Sequence, residues 1–379
     1  MTNNFTTQLL HSGYNPGDEH GAVIPPLYLS STFTFGNDKN YEYSRSGNPT
    51  REALEETLAV IDGAEHALAY SSGSAVLANV AALLQKDEHI LFSSDAYGGT
   101  YRYIVQVLSV AAKKHHIVDF TDLAAVEAIL QKQSIKIIWV ETPTNPLLKV
   151  ADIRKLAKLA HTYDALLVVD NTFATPIIQK PLELGADLVV YSTTKYMNGH
   201  SDSIGGSLAV RDDGLYERLK FLQNAIGAML SPFDAWLTLR GLRTLELRME
   251  RHVKNAQAIA ELLYKHPKIS KVYYPSLFDG EQGKIVKRQM KSPGAIISVE
   301  LKPQYDVQKF LSKLHYFPLA ESLGGVESLI DHPASMTHAA IPPEERAKIG
   351  LSDSLFRISV GIENTEDLME DIRSALDTL

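Results

Sequence analysis

Short apolar runs recur along the first half of the chain, at 67–70, 89–92, 117–120, 135–140, 165–169 and 188–191. Most are separated by segments in which apolar residues return at helical period, as in 75–85, 122–132 and 152–163. Short apolar strands alternating with helices predict a mostly parallel sheet covered on both faces. A further helix is predicted over 51–62, with Gly63 as its stop. The pattern then changes. A long helical stretch at 233–265 is followed by a strand at 294–301, a helix at 305–314 and a final helix at 365–378. The chain therefore reads as α/β, with a large domain over 51–245 and a smaller α+β domain over 246–379. Residues 1–50 are rich in Gly and Pro but carry Tyr28, Phe33, Phe35, Tyr41 and Tyr43. Disordered tails are poor in aromatics, so this segment is expected to dock as an arm.

Composition narrows the function. Of 379 residues 45% are hydrophobic and 22% charged, the balance of a globular protein. The net charge of -8 offers no global positive field, so neither nucleic acid nor an anionic membrane is an expected partner. Lys284, Lys287, Arg288 and Lys291 are spaced as one solvated helix face. The absence of cysteine excludes disulfides, thiolate-held zinc, iron–sulfur clusters and a thiol nucleophile. Residues 1–8 lack the basic and apolar regions of a signal peptide, and no apolar run reaches the length of a membrane span. Cytoplasm is the expected compartment.

In open α/β sheets ligands sit at the carboxyl ends of the strands. The strand at 188–191 ends in Ser192-Thr193-Thr194-Lys195. A lysine becomes a nucleophile when desolvation or nearby cations depress its pKa, and the hydroxyls of Ser192 and Thr194 suit a phosphate ester. On the tetrapeptide alone, a surface lysine in a polar loop is the plainer reading. The strand at 165–169 ends in Asp170, which reads as a helix cap or as the carboxylate that keeps a pyridine nitrogen protonated. The turn 71–74, with Gly73 and Ser74, opens a helix and so offers free N–H groups to a phosphate. It lacks both nucleotide fingerprints, GxxxxGK[ST] and GxGxxG. Tyr97 suits stacking on a ring or a place in the core. Asn145 suits a hydrogen bond to a ring hydroxyl. Arg357 lies in an apolar strand-like context, where it either pairs with a structural acid or clamps a substrate carboxylate bidentately. Taken together, these groups are the set that pyridoxal phosphate (PLP) chemistry requires. HExxH and GxSxG are missing, and no metal is expected.

The motifs YSRSGNPTR (43–51), SSGSA (71–75), DAYGGTYR (95–102), ETPTNP (141–146), VVDNTF (168–173), YSTTKYMNGHSDS (191–203), ESLGGVESL (321–329), MTH (336–338) and FRISVGIE (356–363) resemble the Cys/Met-metabolism family of PLP enzymes along essentially the whole chain. The resemblance implies a fold type I, aspartate aminotransferase-like architecture with PLP as cofactor and a sulfur amino acid as substrate. It implies that Lys195 is the Schiff-base lysine and Asp170 the pyridinium partner. Gly73, Ser74, Ser192 and Thr194 would hold the phosphate, and Tyr97 would stack on the ring and act with Lys195 in catalysis. Arg357, Ser322 and Asn145 would bind the substrate carboxylate. Tyr43 and Arg45 resemble a pair that reaches into the neighbouring subunit's site, which implies a dimer with shared sites, within a tetramer.

Within the family, Glu321 before Ser322, and Gly99 where methionine γ-lyases carry cysteine, resemble the cystathionine γ-lyases and γ-synthases. Arg102 matches a position facing the distal substrate end. The expected activity is that of a γ-lyase with β-lyase side activity. The alternatives are γ-replacement, by a γ-synthase or O-acylhomoserine thiol-lyase, and a non-catalytic PLP-binding regulator.

Overall fold

Alternation along each strand decides how the layers assemble. In β5 (Leu166–Asp170), Val168 packs into one apolar cluster with Val76, Leu77 and Val80 of the helix Gly73–Ala81. Its neighbours Leu167 and Val169 face the opposite way, onto Ile153, Leu156 and Ala160 of the helix Ile153–Thr162. A strand buried on both sides cannot show polar alternation, which is why these strands read as continuous apolar runs.

The computed structural model describes residues 4–17, 19–110, 113–337, 344, 346 and 350–379. Seven strands form the large sheet: β1 (His66–Tyr70), β2 (His89–Ser93), β3 (Lys114–Val118), β4 (Ile135–Glu141), β5, β6 (Leu188–Tyr191) and β7 (Gly206–Val210). Their order is β1-β7-β6-β5-β4-β2-β3, parallel from β6 to β3 and antiparallel at β7. A smaller antiparallel sheet holds β8 (Ile269–Tyr273), β9 (Ile296–Leu301), β10 (Leu329–Asp331) and β11 (Leu355–Ser359), in the order β10-β11-β9-β8.

Several sequence expectations shift. The strand expected at 117–120 occupies Lys114–Val118. The stretch 233–265 is two helices, Pro232–Leu242 and Leu245–Lys265. The helix expected at 305–314 covers only Val307–Leu311. The helix expected at 51–62 runs from Pro49 to Asp62, because the Asn48 side chain accepts from the N–H groups of Thr50 and Arg51 and caps it there. The arm contains the short helix Phe5–His11 and is otherwise irregular up to Asn48, apart from a 3-10 turn and one Thr32–Tyr43 bridge. Lys284, Lys287 and Arg288 do lie exposed on one helix, Gly280–Gln289, where Lys284 and Arg288 pair with Glu281. Lys291 follows just beyond that helix. Among the described residues no helix is long and apolar enough to cross a membrane, and no cluster of acidic or histidine side chains could hold a metal ion. Met1 to Asn3 of the amino-terminal segment, and His338 of MTH, lie outside the described residues.

Candidate active site

The carboxyl ends of β4, β5 and β6 open onto one cavity of about 320 Å³. A second cavity of about 330 Å³ lies between Phe5, Ile177 and Met249. Of the residues singled out from the sequence it contains only Lys291, and none of the candidate site residues, so chemistry and not size selects the first.

Lys195 lies four residues beyond β6, with its Nζ donating to Ser322 Oγ at 2.8 Å. Burial pulls its amine down to about 8, helped by the Arg357 charge and opposed by Glu321 and Asp331. Ser322 itself sits at φ 94°, a region that side-chain-bearing residues avoid. Backbone strain of this kind collects at functional sites.

Asp170 terminates β5. Its Oδ1 accepts from the Thr172 N–H at 3.0 Å and from Thr172 Oγ1 at 2.6 Å. Thr172 Oγ1 in turn accepts the Ser192 N–H at 2.9 Å. One threonine thus ties the end of β5 to the loop carrying Lys195. Burial raises the Asp170 carboxyl, and the two Thr172 donors work against that rise.

One wall is made of small residues. Ser72 caps the helix Gly73–Ala81 by accepting from the Ala75 N–H. This leaves the N–H groups of Gly73 and Ser74, the first of the helix, outside its ladder. A Cβ built at Gly73 would stand 3.1 Å from the Ser192 Cβ, so the two turns approach each other too closely here for a side chain at 73 to fit without a shift. Ser192 and Thr194 line the same wall. Helix N–H groups, a helix dipole and hydroxyls form a donor set for a phosphate.

The opposite wall comes from distant parts of the chain. Arg357, 2% exposed, donates from Nη1 to Asn145 Oδ1 at 2.8 Å and from Nη2 to Ser322 O at 2.9 Å. Its Nη2 also pairs with Asp331, its cross-strand neighbour in β10. Asp331 is thus the structural acid that one reading of Arg357 called for, and the guanidinium still lines the cavity.

Lys195, Asp170, Gly73, Ser74, Ser192, Thr194, Tyr97, Asn145, Glu321, Ser322 and Arg357 all line this one space. Arg102 does not. It is exposed, at the start of a π-helical segment, Arg102–Leu108. Tyr43 and Arg45 are likewise exposed and outside this chain's own cavity lining, with the Arg45 guanidinium 5.6 Å from the Tyr43 ring centroid. The phosphate-suited wall, the Lys195 amine and the half-buried Asp170 carboxyl fit pyridoxal phosphate.

Sequence reasoning missed Thr172, Asp331 and Arg248. Thr172 carries a local signal, a hydroxyl two residues after an aspartate. Arg248 carries none. Buried in the helix Leu245–Lys265, it donates to Tyr196 O at 2.7 Å, to Gly241 O at 2.8 Å and to Met197 O at 3.4 Å. It thereby pins the loop directly after Lys195. A Cβ at Gly199 would stand 2.1 Å from its Nη1, and Gly199 has φ 76°.

Comparison with known proteins gives the family. The family model described as Cys/Met metabolism PLP-dependent enzyme matches residues 6–377. The chain is 50% identical to a cystathionine gamma-lyase of Dictyostelium discoideum, over 98% of this chain and 97% of that one. It is also 50% identical to a cystathionine beta-lyase of Coxiella burnetii, with the same coverage. Among solved structures, a cystathionine gamma-lyase from Lactobacillus plantarum complexed with L-serine superposes with a TM-score of 0.95 at 45% identity, covering 99% of each chain. A cystathionine gamma synthase from Xanthomonas oryzae gives 0.96 at 45% identity, covering 100% of this chain and 98% of that one. The architecture is that of the fold type I PLP-dependent enzymes. The chain belongs to the Cys/Met metabolism family of PLP-dependent enzymes.

Proposed function

We propose that this protein is a PLP-dependent carbon–sulfur lyase of the cystathionine γ-lyase type. It would cleave L-cystathionine to L-cysteine, 2-oxobutanoate and ammonia, with β-lyase activity as a side reaction. The observation that carries the reading is the pairing at the cavity of Lys195 and Ser322, next to Glu321 and opposite Arg357. When bound, PLP supplies an electron sink that stabilises negative charge at the substrate's α-carbon.

The chain's own residues do the rest. Lys195 would hold the cofactor covalently. Asp170 would keep the pyridine nitrogen protonated, and Gly73, Ser74, Ser192 and Thr194 would hold the phosphate. Tyr97 would lie against the ring. Arg357 and Asn145 would orient the substrate through its α-carboxylate. With its amine near neutrality, Lys195 Nζ suits proton removal at Cα, and γ-elimination needs a second removal at Cβ. Ser322 Oγ, 2.8 Å away, orients that nitrogen. Glu321 and Arg102 would meet the distal end of the substrate.

The same reading divides the chain into an arm (1–50), a PLP-binding domain (51–245) and a smaller domain (246–379), in a cytoplasmic enzyme. The exposed positions of Tyr43 and Arg45 support their acting in the site of a neighbouring subunit, in a dimer that pairs into a tetramer. Mixing Arg45→Ala and Lys195→Ala subunits should partly restore activity, because one site of a mixed dimer carries neither lesion. Mixed dimers without activity would place Arg45 in its own chain's site.

A second reading, γ-replacement as a γ-synthase or O-acylhomoserine thiol-lyase, has the likeness to the Xanthomonas oryzae synthase in its favour. Two incubations separate the readings. Cystathionine alone should yield 2-oxobutanoate and cysteine. O-acylhomoserine with cysteine should yield little cystathionine. The reverse outcome makes the enzyme a synthase.

A further inference from the structure

Three carboxyl groups stand at the ends of neighbouring strands beside the cavity: Asp95 after β2, Glu141 at the end of β4 and Asp170 at the end of β5. Glu141 and Asp170 are direct partners in the β4–β5 register, and both line the cavity. Asp95 accepts from Thr144 Oγ1 at 2.6 Å and faces the charge of Lys149. Asp170 has the two Thr172 donors described above. Glu141, 5% exposed, receives among the described residues main-chain donors only, the Tyr97 N–H at 2.9 Å on Oε2 and the Asn145 N–H. Among the described residues neither Glu141 nor Asp170 has a cation in a salt bridge. Two neighbouring carboxyl groups without a cation beside them disfavour double ionisation, and burial adds to this, which favours one proton held on the pair.

Tyr97 shows what that proton is useful for. Tyr97 is 47% exposed, and among the described residues its hydroxyl has no hydrogen bond, so no polar contact of its side chain fixes its place. What holds it is the main chain, at the N-cap of the short helix Gly98–Tyr101, where its N–H ends on Glu141. We propose that Glu141 is a positioning residue: as a neutral carboxylic acid it fixes the main chain of Tyr97 over the cavity and leaves Asp170 as the anion beside it. Burial and the neighbouring Asp170, with a lesser push from Asp95, hold Glu141 well above the ordinary carboxylate range. The side-chain hydroxyl of Thr172, a donor Glu141 lacks, favours the ionised form at Asp170. Placed this way, the proton keeps the negative charge at the position suited to a pyridinium nitrogen. It removes a second anion that would compete for that nitrogen's proton.

The inference rests on the reading that Tyr97 and Asp170 face the cofactor. The test compares Glu141→Gln with Glu141→Leu in the PLP-loaded protein. Three things are measured: cofactor loss on dilution, circular dichroism of the visible band, and the pH titration of that band. Glutamine is neutral and keeps a carbonyl for the Tyr97 N–H. It should retain cofactor within about twofold of the parent and leave the titration in place, whereas leucine, which loses the bonds from the Tyr97 and Asn145 N–H groups together, should weaken retention by about tenfold or more. The infrared difference spectrum between parent and Glu141→Gln should show loss of a carboxylic acid C=O stretch. If Glu141→Leu does not fold, the glutamine variant and the infrared spectrum still decide. A carboxylate stretch lost in place of the acid, or a glutamine variant whose titration moves, overturns the proposal. A leucine variant that behaves like the parent also overturns it. A failure of the underlying reading looks different: Tyr97→Ala and Asp170→Asn would then retain cofactor and its spectrum unchanged.

Discussion

The two walls of the cavity are built by opposite strategies. The wall of Gly73, Ser192 and Thr194 comes from two tight turns at strand ends, and its working groups are backbone N–H groups and short hydroxyls. The wall of Asn145, Ser322 and Arg357 comes from three remote segments, joined by a buried guanidinium whose partners include an ion pair. The first wall is made of local geometry, so changing it should alter binding and spare the fold. The second wall is part of the core. Changing it should alter both.

The largest effect tests the point where the walls meet. Lys195→Ala should lower turnover on the order of 10⁴-fold or more, measured by 2-oxobutanoate release, with folding intact by circular dichroism. Residual activity near the parent level would move the nucleophile elsewhere. Arg357→Ala should cost ten- to a hundredfold in kcat/KM, roughly the loss of hydrogen bonds to a charged group. It should also destabilise the protein by about 3–5 kcal/mol, because Asp331 is left buried and unpaired. Adding Asp331→Ala should recover much of the stability and none of the kcat/KM. Recovery of both would mean that the clamp is structural only.

The walls also communicate through charge, which gives a pH signature. In cofactor-stripped protein, carbamylation of Lys195 by cyanate requires the neutral amine. Its rate should rise with pH through a midpoint near 8, well below an ordinary lysine, and reach its plateau above that. Because the lysine's folded value is depressed, the unfolded chain binds more protons between about pH 8 and 10.4, and stability should rise with pH across that window. Removing the Arg357 charge should move the midpoint upward, read by peptide mass spectrometry. An unchanged midpoint would mean that burial alone sets it. The smallest effect belongs to the local wall. Gly73→Ala puts a methyl 3.1 Å from the Ser192 Cβ, so PLP affinity should fall a few-fold, about 1 kcal/mol, with the melting temperature unchanged. A large melting shift would erase the distinction between the walls.

The same division explains what the sequence made legible. Asp170 and Lys195 stand at the ends of strands buried on both faces, where a continuous apolar run stops and chemistry starts. Gly73 and Ser74 open a helix, another local signal. Strand β3 was displaced because it is a sheet edge whose first residues, Lys114-His115-His116, are polar. Strand β7 (Gly206–Val210) bears no such signal, because it opens on Gly206 and Ser207 directly after Gly205 and leaves only Leu208 to Val210 as an apolar run. The helix break at Arg243–Thr244 bears no Gly or Pro. Asp331 and Arg248 act through contacts that only tertiary structure creates, so no spacing in the chain announces them.

The contact between Arg248 and Gly199 bears on how the protein can evolve. The guanidinium fills the space into which any side chain at 199 would project, so neither position can vary freely while the other stays as it is. A lineage that enlarges position 199 first loses the clasp behind Lys195 in one step. A lineage that shortens Arg248 first still faces the left-handed backbone at 199, where asparagine or aspartate is the best tolerated newcomer. Drift at this corner of the enzyme is therefore directional, entering through the arginine.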